Sequence, residues 1–207
     1  MATTPLRSSP LALTVLALLH YKPLHPYGVQ RLIKQWGKDQ VVNVGQRASL
    51  YRTIERLLAA GLITVRETER DQLYPERTVY EITGAGRETA RAWLLEMLSA
   101  PKQEFPEFPA ALSHVLLLTP EEIVRALDDR LARVRATLAQ LEADLAQGAG
   151  IGLPRITLLE TEYLRATTRA EADWLDAVLD DLRAGRLAWS TEQLIAFAQG
   201  QEPATEG

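Results

Sequence analysis

The chain has 207 residues, 46 % of them hydrophobic, and a formal net charge of −4. That length can bury a core in one or two domains. Cysteine is absent, which excludes disulfides and thiolate metal sites, and the apolar run Leu11 to Leu19 is too short for a bilayer span of ~20 residues. No small-residue cleavage site follows that run, so no signal peptide is expected and the composition suits a reducing cytoplasm. The charge is unevenly spread. Residues 1–104 carry 14 Lys+Arg against 10 Asp+Glu, and residues 105–207 carry 9 against 17. A basic front and an acidic back predict that only the front meets a polyanion.

Ser9-Pro10 opens the first expected helix, with serine as cap and proline at the first helical position. Leu11, Leu13, Val15, Leu16, Leu18 and Leu19 cover nearly every side of it, so it should be buried on most faces. Pro23 and Pro26 punctuate a turn. A second helix follows from Pro26, with Val29, Leu32, Ile33 and Trp36 on one stripe and Gly37 as its stop. Tyr27 lies at its N-terminus, where backbone N–H groups favour an anion.

The third expected helix organises the chain. Leu50, Ile54, Leu57 and Leu58 recur at helical spacing and make an apolar stripe. Ser49, Arg52, Thr53 and Arg56 fall opposite. Gly61 follows where a left-handed cap is wanted, and Leu62 can fold back on the helix. One apolar face and one hydroxyl-plus-arginine face suit the major groove of DNA; an amphipathic surface helix with solvated arginines is the plainer alternative.

Ile63-Thr64-Val65-Arg66 and Thr78-Val79-Tyr80-Glu81-Ile82 alternate as strands, and a polar tip, residues 69–77, joins them in a hairpin. Three helices and a hairpin are the layout of a winged helix-turn-helix, whose third helix enters the major groove while the wing touches backbone or minor groove. Thr83 caps a fourth helix carrying Ala90, Trp93, Leu94, Met97 and Leu98. Pro101, Pro106 and Pro109 then mark a boundary. We therefore expect a DNA-binding domain over 1–104, a helical dimerisation domain over 105–200 and a disordered tail over 201–207.

In the second half a short apolar helix is expected from Ala110 to Leu118. Thr119-Pro120-Glu121-Glu122 is a strong helix start, with a capping box between Thr119 and Glu122. Val124, Leu127, Leu131, Val134, Leu138, Leu141 and Leu145 then alternate spacings of three and four, a heptad seam. Gln147 to Gly152 reads as a flexible turn, and a return helix starts near Pro154. Ile156, Leu159, Tyr163, Ala166, Ala170 and Trp174 form its stripe, widened by Leu164, Leu175, Leu179 and Leu182. One hairpin partner cannot cover so wide a face, so part of it should pack on a second chain. Candidate dimerisation residues are Leu127, Leu131, Val134, Leu138, Leu141, Tyr163 and Trp174. Gly185 ends the return helix, and Ser190 to Gln199 is read as a last short helix.

These motifs, in this order, resemble the PadR family of bacterial transcriptional regulators. The resemblance rests on Ser9-Pro10 with its apolar helix, and on His25-Pro26-Tyr27-Gly28 opening the second. It continues in Ser49-Leu50-Tyr51-Arg52 through Leu57 to Gly61-Leu62-Ile63, and in Val79-Tyr80-Glu81-Ile82-Thr83 through Gly86 to Trp93. It covers about residues 8–98; the back half matches by pattern alone. The resemblance implies a dimeric winged-helix protein, most often a repressor, on a palindromic operator, with release by a phenolic acid or hydrophobic drug in some members. It also implies that Ser49, Tyr51 and Arg52 face DNA and that Tyr27 lies near the phosphates. The wing departs from the family pattern, for Glu69, Asp71 and Glu76 sit beside Arg70 and Arg77 and no glycine is present.

The full candidate DNA-contact set is Tyr27, Gln46, Arg47, Ser49, Tyr51, Arg52, Arg56, Arg70 and Arg77. Either Arg52 or Arg56 reaches a guanine edge, while Ser49 and Tyr51 meet phosphate or a thymine methyl; Tyr51, near Leu58 on the helical wheel, could instead be half core. Trp93 and Met97, one turn apart, are the candidate pair for a small aromatic effector. Enzyme readings are poor. His20, His25 and His114 are scattered without metal-like spacing, and there is no phosphate loop or nucleophile elbow. No cofactor, metal or membrane is expected. The rival reading is a helical protein-interaction adaptor that does not bind DNA.

Overall fold

A computed structural model describes residues 7–43, 47–69, 77–189 and residue 196. The chain divides into two compact units, residues 1–104 and 105–207. The front unit begins with α1 (Pro10–Tyr21) and α2 (Pro26–Gln35). The Ser9 hydroxyl caps α1 by accepting the Ala12 N–H at 3.2 Å. His25 caps α2, its Nδ1 accepting the Gly28 N–H at 2.7 Å. Ala12, Val15, Leu16, Leu18 and Leu19 of α1 are all buried, as an all-round apolar helix requires. Trp36 is the C-cap of α2 and lies half open, so the α2 stripe ends at Ile33.

The third helix, α3, spans Arg47–Ala59. Leu50, Ile54 and Leu57 are buried in the front core. Leu58, expected on the same stripe, is instead 36 % exposed; it lies a full step around the helix from Leu57, on the flank that Tyr51 occupies two turns earlier. Gly61 has φ +69°. The Gly61 N–H bonds the Leu58 carbonyl and the Leu62 N–H bonds that of Leu57, at 2.9 and 3.0 Å. Paired bonds of that kind close a helix with a left-handed residue, and they aim Leu62 into the core.

Strands β1 (Ile63–Glu69) and β2 (Arg77–Ile82) pair antiparallel, with Ile63 opposite Ile82 and Val65 opposite Tyr80. The register slips between Val65 and Glu67, which leaves Arg66 as a bulge residue. A third, one-residue strand joins this sheet: Leu24 exchanges two backbone hydrogen bonds with Tyr80, at 3.0 and 2.9 Å. Leu24 is set up for that by His25, which precedes Pro26 and is held extended at ψ 159°.

Helix α4 (Gly84–Ser99) is capped by Thr83, whose Oγ1 accepts the Gly86 N–H at 3.0 Å and donates to the Gly61 carbonyl at 2.8 Å. One side chain thus ties the end of α3 to the start of α4. Gly86 makes the approach possible, because a Cβ there would stand 2.0 Å from the Leu62 carbonyl oxygen.

The back unit departs from expectation in its connections. Its first helix, α5, is Glu107–Leu112, and Val115–Leu117 is a separate 3-10 turn, where one helix over 110–118 was expected. Helix α6 runs from Pro120 to Gly150, 31 residues, with the predicted capping box formed: the Thr119 N–H donates to Glu122 Oε2 at 2.8 Å. It therefore contains Gln147–Gly150, which were expected in the turn. Gly148 is tolerated inside the helix because Leu158 presses on it, with a leucine methyl 2.8 Å from where a Cβ would be. The stop is Gly152, at φ +73°. A 3-10 turn at Arg155–Thr157 precedes α7 (Leu159–Arg183), so the return helix starts later than Pro154. The expected helix over 190–199 and the tail 201–207 lie outside the described residues, apart from residue 196.

Within the back unit α6 packs against α7 around Ile123, Leu127, Leu131, Ala172, Leu175 and Leu179. Four ion pairs link the two helices: Asp128–Arg183, Arg130–Glu171, Arg135–Asp176 and Glu142–Arg169. All are at least partly open to solvent, so they fix register more than they add stability.

Candidate nucleic-acid interface

The outward face of α3 is built by elimination: three buried aliphatics point Ser49, Arg52, Thr53 and Arg56 away from the core. Ser49 and Thr53 are half-buried, and Arg52 and Arg56 are exposed. Arg52 is partly held, since its Nε donates to the Ala48 carbonyl at 3.2 Å; both terminal nitrogens stay available. The Thr53 hydroxyl donates to the Ser49 carbonyl at 2.8 Å, so its proton is already in use. Among the described residues neither arginine is paired with a carboxylate. Tyr51 is 49 % exposed, which favours the contact reading over the core one.

The other candidates are placed as follows. Tyr27 stands open on the first turn of α2, its ring stacked on His25 with centroids 6.0 Å apart. Gln46 and Arg70 lie outside the described residues, and the side chains of Arg47 and Arg77 do too, although their backbones begin α3 and β2. One neighbour was missed in the sequence. Arg7, just before α1, lines a small concavity with Ser9, Ala12, Thr53 and Arg56. Nothing local signals it, because the meeting depends on how α1 packs on α3.

In the back unit, Leu127, Leu131 and Leu141 are buried within one chain. Phe108 and Trp189 pack against the cluster that holds Leu127 and Leu131 and cover part of the wide face within the chain. Val134 and Leu138 are half-buried, and Trp174 is open on one side while it meets the edge of Phe108. Tyr163 is 69 % exposed. The candidate effector pair lies on α4. Trp93 is only 8 % exposed and belongs to the front core, while Met97 points outward. A half-open groove of about 530 Å³ lies in the back unit, lined by Phe108, Val115, Ile123, Leu127, Arg130 and Arg133 among others. The guanidinium carbon of Arg130 sits 3.5 Å over the Phe108 ring, and Arg133 has no ion pair among the described residues. No set of three His, Asp or Glu side chains suits a metal among the described residues, and no helix there is long and apolar enough to cross a membrane.

Residues 15–92 match the Transcriptional regulator PadR-like family. Over these residues the front unit is similar to that family. The match runs from within α1 to within α4, so it takes in α2, α3, the hairpin and the Thr83–Gly86 junction. Among curated proteins no sequence matches the chain. Solved structures do, as folds. Bacillus subtilis PadR in complex with operator DNA is 20 % identical, with TM-score 0.68 over 84 % of this chain and 99 % of that one. The same protein in complex with p-coumaric acid is 19 % identical, with TM-score 0.68 over 84 % and 98 %. The Vibrio cholerae virulence activator AphA is 21 % identical, with TM-score 0.63 over 84 % and 98 %. The likeness therefore extends beyond the PadR-like domain into the helical back unit, and at these identities it establishes the fold: mainly helical, with a small antiparallel sheet.

Proposed function

We propose that this protein is a dimeric, non-enzymatic transcriptional repressor of the cytoplasm. Each chain lays α3 into the major groove of one half of a palindromic operator, and a small aromatic effector releases it. The observation that carries the reading is the outward face of α3, where Arg52 and Arg56 stand exposed and unpaired beside Ser49 and Tyr51 on a PadR-like domain. Arginine is the side chain best fitted to guanine O6 and N7. Tyr27 and the wing residues Arg70 and Arg77 contribute backbone contacts, with Gln46 and Arg47 at the entry of α3.

Pairing of chains is supported by open apolar side chains, Tyr163 and Trp174 on α7 and Leu94, Leu95 and Leu98 on α4. Two recognition helices must stand about 34 Å apart to read half-sites one turn apart. The groove in the back unit supports the effector: its walls suit an apolar ring, and Arg133 suits a carboxylate. The PadR structure with p-coumaric acid holds a molecule of that chemistry.

Selection of bound duplexes from a random pool tests this. The expected product is a palindrome with two half-sites, bound with an affinity that falls steeply as salt rises through counterion release. Absence of duplex binding at low salt would favour the adaptor instead.

A further inference from the structure

We propose that Arg7 and Arg56 form a clamp for one backbone phosphate of DNA, leaving base reading on α3 to Arg52. The inference rests on the DNA-binding reading above and assigns its parts. The Ser9 cap and Pro10 fix the chain direction at the start of α1, and α1 packs on α3. Arg7 is thereby brought to Arg56, and the two arginines share one dent with Ser9, Ala12 and Thr53. Among the described residues no carboxylate lines that dent, and neither arginine has an ion-pair partner. Two like charges that line one dent without a counter-charge gain from an anion placed there.

The dent holds about 10 Å³, room for about one water-sized atom such as a phosphate oxygen. The Ser9 hydroxyl accepts from Ala12 and keeps its own proton to donate; the Thr53 proton is already given to Ser49. Position on α3 agrees. In a helix-turn-helix the N-terminal part of the recognition helix reaches base edges. Arg52 leans toward that end through its bond to Ala48. Arg56 lies one turn later, beside α1, where the strand backbone would pass.

The test uses the full chain with its selected operator and with a random duplex of equal length, each titrated at several salt concentrations. R7A and R56A should each weaken both duplexes by the same factor, roughly tenfold, as loss of one charge-assisted contact does. The slope of log affinity against log salt counts phosphates neutralised. The double variant should therefore lose about one from that slope, as one shared phosphate requires, and R52A should lose preference for the operator. Arg7 is exposed, so an unchanged thermal midpoint should accompany R7A. The clamp is overturned if R7A binds both duplexes normally, if R56A loses the operator alone, or if the double variant loses about two from the slope. An unmutated chain that binds no duplex overturns the DNA reading and the clamp together.

Discussion

Arg52 and Arg56 stand one turn apart on α3, yet their surroundings differ. Arg52 is tethered to its own helix through Nε, while Arg56 lines a small dent together with Arg7. Substitution of Arg52 by alanine should cost ~1–3 kcal/mol of discrimination against a changed base pair, read by competition between the selected operator and an altered one, with no change in sedimenting mass. Gly86 is a different kind of single-residue requirement. Gly86→Ala puts a Cβ 2.0 Å from the Leu62 carbonyl oxygen and 2.8 Å from Ile82 Cγ1. The first of these is backbone and cannot swing away, so a loss of about 1–3 kcal/mol or more is expected, seen as a lower urea midpoint. Gly84, in the same turn of α4, has nothing within 4 Å of its would-be Cβ. Gly84→Ala should leave the midpoint unchanged or raise it slightly through helix propensity. Equal effects of the two substitutions would contradict this account of the junction.

Among elements, α6 and α7 combine a leucine core with a row of surface ion pairs, and magnitudes say which holds them together. Leu175 is fully buried between the helices, so Leu175→Ala should cost about 2–5 kcal/mol. Arg183 reaches Asp128 at 2.6 Å but is half exposed, so Arg183→Ala should cost less than ~1 kcal/mol. Chemical denaturation of both variants distinguishes the two contributions. The tip of the hairpin has a small pH dependence. Glu162 is held below the ordinary carboxylate range, first by its hydrogen bond from Arg155. Its support is present above the ordinary carboxylate value and fades as pH falls through the lowered one, and solvent around this exposed pair keeps it slight.

For the whole molecule, the basic residues are in excess in the front half and the acidic ones in the back half, so the front is the half electrostatically suited to a polyanion. A second chain is needed for two half-sites. Sedimentation should return twice the 23.0 kDa chain mass at micromolar concentration. Tyr163→Asp places a charge on an open apolar side chain of α7 without touching the core, and should shift the protein toward monomer while weakening operator binding. A variant that stays dimeric would move the contact elsewhere.

Much of this was readable in the residues themselves. The serine cap of α1, the threonine caps of α4 and α6, the glycine stop after α3 and the alternating spacings of α6 all act within a few residues, where sequence distance and spatial distance coincide. The polar face of α3 was readable for the same reason: helical geometry alone sorts Arg52 from Leu57. Other features waited on the fold. The bridge from Leu24 to Tyr80, the bulge at Arg66, the burial of Trp93, the closing of Leu127 and Leu131 inside one hairpin, and the meeting of Arg7 with Arg56 each join segments far apart in the chain. Which partners meet there depends on packing, and packing responds to the shape of every neighbouring side chain at once.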